Sequence, residues 1–106
     1  MAGPAFDTFG YPNEATLRTI RAWPWSDKAG FWEYVNEAWN HSCGKIRLSP
    51  TRMKFVTGGW SGNESIIRAV NENIQIGKQA WLSSHRGGLH VYEIERPKAK
   101  KRKGKA

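Results

Sequence analysis

With 106 residues, 39% of them hydrophobic and six of them tryptophan, the chain has the material for one domain with its own core and is too short for two. Its single cysteine, Cys43, excludes an intramolecular disulfide and any multi-thiolate zinc site. The net charge of +8 is unevenly placed: Arg96, Lys98, Lys100, Lys101, Arg102, Lys103 and Lys105 carry seven positive charges with no acid among residues 96–106, which leaves +1 for residues 1–95.

Residues 1–11 are rich in Gly, Pro and Ala and read as an extended lead-in, with Phe6, Phe9 and Tyr11 available to pin it to the body. Asn13 is placed to cap a short helix whose Leu17 and Ile20 face one side, and Pro24 must end it. Trp23-Pro24-Trp25 reads as an extended corner, because the residue before proline is pushed out of the α region. Ser26 or Asp27 then caps a second helix with an apolar stripe at Phe31, Tyr34, Val35, Ala38 and Trp39. Trp32 lies off that stripe and is expected to pack on the Trp23-Pro24-Trp25 corner, or else to stand exposed as a partner-binding residue.

The clearest period follows. Alternation through Lys45–Leu48 and Arg52–Thr57, joined by Ser49-Pro50-Thr51, describes a hairpin with Ile46, Leu48, Met53 and Phe55 inward and Lys45, Arg47, Arg52 and Lys54 outward. Those four cations form a basic patch only if no acid stands beside them.

The run Gly58-Gly59-Trp60-Ser61-Gly62-Asn63-Glu64 reads first as a strand-to-helix corner, with Ser61 and Glu64 as a capping box. An anion pocket walled by Trp60 is the alternative, although the spacing matches neither a P-loop nor a dinucleotide fingerprint. Ile67, Val70, Ile74, Gly77 and Trp81 then predict a helix of about five turns, with Gly77 allowing close backbone approach and Arg86-Gly87-Gly88 as its cap. A final strand over 89–95 turns His90, Tyr92 and Ile94 inward. Beside the first hairpin strand it sets Glu93 and Glu95 against Lys45 and Arg47, and the patch becomes cross-strand ion pairing.

The expected fold is α+β: a single domain over residues 1–95 with a three-stranded antiparallel sheet in the order 2-1-3 and three helices packed on one face. The basic tail over 96–106 is expected to be disordered by itself.

The residues Gly58 to Glu64, Ile66-Ile67, Asn73, Trp81, Ser84 and Arg86-Gly87-Gly88 resemble a group of short uncharacterised proteins encoded by bacteriophages and prophages. The resemblance spans about Pro12 to Ile94 and excludes the tail. It implies a phage accessory origin and, with it, no reaction and no catalytic residue.

Three functions are weighed. The first is a non-enzymatic binding module on a host or phage macromolecule, with Lys45, Arg47, Arg52, Lys54, Trp60 and the tail cations as its contacts and RNA, DNA or an acidic protein surface as a partner for the tail. The second is a protein-directed inhibitor of a host enzyme or defence system acting through the folded face. The third, a metal-dependent hydrolase or nuclease, is poorly served: Glu64 with His85 or His90 is its best pair, and His41 and Cys43 lack metal-ligand spacing. No cofactor and no catalytic or metal residue is assigned. With no apolar run near the roughly 18 residues of a membrane span and no basic-then-apolar leader, the expected location is the host cytoplasm, away from the membrane.

Overall fold

The computed structural model describes residues 3–94. Asn13 opens α1 (Glu14–Ala22), its side-chain oxygen accepting the Thr16 N–H at 2.9 Å, and the helix stops before Pro24. Asp27 caps α2 (Lys28–Ala38) in the same way, accepting from the Gly30 N–H at 3.1 Å. The predicted stripe Phe31, Tyr34, Val35, Ala38 and Trp39 is buried throughout. Trp32 does not pack on the Trp23-Pro24-Trp25 corner. Its ring lies on the sheet, 5.4 Å from Tyr92 and 6.2 Å from Phe55 between centroids, because the sheet offers the larger apolar plane. Trp23 stacks on Tyr34 at 5.1 Å instead, and Trp25 is left 63% exposed.

Strands β1 (Lys45–Leu48) and β2 (Arg52–Val56) form the expected hairpin, with Ile46 opposite Phe55 and Leu48 opposite Met53, but Leu48, expected inward, is 58% exposed at the end of β1. Beyond it the architecture departs from the expectation. Among the described residues there are four helices and four strands, not three of each, and the sheet order is β1-β2-β4-β3, with every neighbouring pair antiparallel. The helix expected to reach Trp81 ends nine residues earlier, at Glu72. It is divided into α3 (Ser61–Glu72) and the single turn α4 (Gly77–Ala80), and Trp81 begins strand β3 (Trp81–His85).

Asn73 makes that break. Its side-chain oxygen accepts the N–H groups of Gln75 (3.1 Å) and Ile76 (2.9 Å), and its amide donates to the carbonyls of Ile20 (2.9 Å) and Trp23 (3.2 Å). One buried side chain thus turns the backbone out of α3 and ties it to the end of α1. Gly77 completes the reversal, since a Cβ there would stand 1.8 Å from the Val70 carbonyl oxygen. The close approach expected at Gly77 is present, but it serves a chain that doubles back.

Arg86-Gly87-Gly88 is likewise not a helix cap. It is the turn between β3 and β4 (Leu89–Glu93), with φ of +88° at Gly87 and +85° at Gly88. The hairpin inserts β4 between β2 and β3, so the final strand lies beside β2 and not beside β1. Ile20, Phe31, Val35, Ile66 and Val70 of the helices join Phe55 and Tyr92 of the sheet in one core cluster. Among the described residues no helix is long and apolar enough to cross a membrane.

Candidate nucleic-acid interface

Side chains alternate along a strand, so register decides which residues share a face. On the face turned away from the helices, Lys45 stands in a row with Val56, Leu89 and His85, Arg47 in a row with Lys54, Val91 and Ser83, and Arg52 opposite Glu93. Lys45, Arg47, Arg52 and Lys54 are all exposed. Among the described residues none of the four belongs to an ion pair; the ion pairs there join Arg21 to Glu14 and to Glu72, on the helices.

The expected cross-strand neutralisation fails for a topological reason. Because β4 pairs with β2, Glu93 faces Arg52 and never reaches Lys45 or Arg47. Glu95 and the tail cations Arg96, Lys98, Lys100, Lys101, Arg102, Lys103 and Lys105 lie outside the described residues. The face therefore presents four cations and one acid, with half-buried Val56 and Leu89 and buried Val91 between the cationic hairpin and β3. His85 and Arg86, both exposed near the β3–β4 turn, are not assigned to this face by the sequence: His85 reaches it only through the β3 pairing, which the helical spacing from Ile67 to Trp81 conceals.

Trp60 does not join this surface. Its half-buried ring lies 4.8 Å from Tyr11 and over Gly62, where a Cβ would come within 2.3 Å of the indole. The glycine loop turns its donors inward: the Gly59 N–H reaches the Thr57 hydroxyl at 3.3 Å and the Trp60 N–H the Thr57 carbonyl at 3.4 Å, so neither is presented to an anion. Nor is Ser61 a cap. It is the first residue of α3, its hydroxyl is turned to Tyr11 at 3.4 Å, and Trp60 holds the cap position without a side-chain bond.

What the loop does build is a junction. Fully buried Asn63 accepts the Asn40 N–H at 2.9 Å and donates to the carbonyls of Asn40 (3.2 Å) and Thr57 (3.3 Å), binding the α2–β1 connection to the β2–α3 corner. Its place inside the glycine-rich run was the only sequence signal for that role.

A second polar group sits on the opposite face, at the β3 edge. The Trp81 indole donates to the Ser84 hydroxyl at 2.8 Å, and that oxygen lies 2.8 Å from His90 Nδ1. Burial holds the His90 imidazole below its ordinary pKa of 6.5, the Glu64 carboxylate opposing this and His85 adding to it. A lowered folded-state pKa favours the neutral ring, so its contribution to stability is complete above 6.5 and declines as pH falls below that value. The melting temperature is expected to drop between about pH 7.5 and about pH 5.5, and to drop less in His90→Gln. Equal losses in the two proteins would show that another group is responsible.

Glu64 forms no ion pair with His85 or His90 among the described residues, and no group there of three or more His, Cys, Asp or Glu is placed to hold a metal ion. His41 contacts the Asn36 carbonyl at 3.1 Å, and Cys43 is an exposed free thiol. Comparison of the chain with protein-family models, with curated proteins and with solved structures finds no match.

Proposed function

We propose that the chain is a non-enzymatic nucleic-acid-binding module whose interface is the outward face of the β1–β2 hairpin, extended by the cationic run that starts at Arg96. The observation that carries this reading is the cross-strand pair Arg47 and Lys54, flanked by Lys45 and Arg52 and without acidic partners among the described residues. Like charges directly opposite on a sheet cost on the order of 0.2–1 kcal/mol, a penalty that a polyanion would convert into attraction. The last described residue, Ile94, is bonded through its N–H to the Thr51 carbonyl at 2.9 Å, so the chain leaves the domain beside Arg52. A cationic run following in sequence adds to the hairpin's attraction for one polyanion. The resemblance carried by the Gly58–Glu64 run and the Arg86-Gly87-Gly88 turn supports reading it as a phage accessory protein that works in a host cytoplasm.

Charge reversal at Arg47→Glu with Lys54→Glu is expected to weaken binding of mixed-sequence nucleic acid by at least about tenfold in low salt, since two phosphate contacts become repulsions. An unchanged affinity in nuclease-treated, folded protein would overturn the reading. The protein-directed inhibitor is then favoured, and its support is Trp25, exposed in the α1–α2 connection as interface anchors are. A stoichiometric host protein retained after nuclease treatment, and lost in Trp25→Ala, is the result that reading requires.

A further inference from the structure

We infer that the outward sheet face takes duplex nucleic acid, held through its phosphate backbone, in preference to a single strand. This inference rests on the nucleic-acid reading above and names its ligand class.

Proteins that grip single strands combine a cationic track with aromatic platforms on which unpaired bases stack. The cationic face here has no such platform, for its register places no Phe, Tyr or Trp on it, and its single ring, His85, stands at the far β3 edge and not among the cations. The six tryptophans are all committed elsewhere. Trp23 and Trp39 are buried, Trp32 lies on Phe55 and Tyr92, Trp60 is packed on Tyr11, Trp25 stands in the α1–α2 connection, and Trp81 shares the opposite sheet face with Tyr92. A single strand on this surface would leave its bases without partners, whereas a duplex has already stacked and paired them and offers only phosphates.

The dimensions agree. Laid face-on, four strands about 4.8 Å apart span roughly 14 Å, wider than the ~12 Å major groove, so the outward face that carries the cations rests across the backbone. Arg47 and Lys54 stand side by side on neighbouring strands, and Lys45 and Arg47 are two residues apart along one strand, about 6.7 Å. The contacts are thus to phosphates, and binding is independent of sequence. Glu93, opposite Arg52, is the one acid on the described face and sets the limit of the footprint.

The test uses the full chain, a variant carrying Lys45→Gln, Arg47→Gln, Arg52→Gln and Lys54→Gln, and Glu93→Gln. The probes are a DNA duplex and an RNA duplex of mixed sequence and an oligothymidylate of the same length, titrated between about 50 and about 200 mM salt. The wild-type chain is expected to bind both duplexes at least about tenfold more tightly than the single strand. In the fourfold variant the preference should disappear and the slope of log affinity against log salt for duplex should fall by about 3.6, or 0.9 for each lost phosphate contact. Glu93→Gln should bind duplex more tightly. If the single strand is bound as well as the duplexes and is equally sensitive to the fourfold substitution, the duplex inference is overturned while the nucleic-acid reading stands. If duplex affinity survives the fourfold substitution, the proposed interface itself is wrong. A duplex preference limited to RNA or to DNA would assign the helical form and support the inference.

Discussion

Asn73→Ala is expected to lower the unfolding free energy by about 3 kcal/mol, because one side chain that is 2% exposed serves four backbone groups. Alanine leaves the Gln75 and Ile76 N–H groups without their acceptor and withdraws the donor from the Ile20 and Trp23 carbonyls. A buried polar group left unpaired costs on the order of 1–3 kcal/mol; partial relief by water and the Trp23 N–H that already reaches the Ile20 carbonyl keep the total below the sum. Asn73→Asp separates the two halves of the role. It retains both acceptances and replaces both donations with a carboxylate facing two carbonyls, so it is expected to be at least as damaging as alanine near neutral pH. Chemical denaturation of the two variants beside Glu72→Ala, an exposed neighbour, checks this. A loss below about 1 kcal/mol in Asn73→Ala would mean that the α3–α4 break does not depend on this side chain.

Gly58→Ala is the second large effect, expected at about 3 kcal/mol or more, against about 1 kcal/mol for Gly59→Ala. The two glycines are adjacent and both adopt positive φ, +68° and +77°. They differ in surroundings: a Cβ at Gly58 would stand 1.7 Å from the Cys43 carbonyl oxygen, whereas one at Gly59 would meet nothing within 4 Å. Alanine at position 59 therefore meets only the conformational penalty, while at position 58 it must also push the α2–β1 connection away from the corner and strain the Asn63 bonds. Thermal melts of the two single variants decide the matter, and equal losses would show that backbone conformation alone accounts for the glycine pair.

These two residues also show where sequence reasoning carried and where it stopped. Local chemistry was legible wherever one short-range rule dominated. Asn13 and Asp27 cap their helices, Pro24 ends the first, the α2 stripe is buried, and alternation placed Lys45, Arg47, Arg52 and Lys54 on the outer face of the hairpin. Asn73 was not legible, because asparagine is tolerated on a helix surface and nothing in the apolar spacing from Ile67 to Trp81 separates a continuous helix from a helix, a reversal and a strand. The same error moved Arg86-Gly87-Gly88 from a hairpin turn to a helix cap and removed β3 from the sheet.

The consequence for the candidate site is specific. By itself the sequence determined which side chains are cationic, that they alternate on a hairpin, and that no acid interrupts them within β1 and β2. Whether the patch is neutralised was decided only by tertiary structure, because ion pairing across a sheet depends on which strands become neighbours and in what register. The β3–β4 hairpin inserts beside β2, holds Glu93 at Arg52, and leaves Lys45, Arg47 and Lys54 facing solvent. The reversal that separates β3 from α3 rests on the long-range bonds of Asn73 to the end of α1 and on the close approach of Gly77 to Val70, neither of which the apolar spacing reveals.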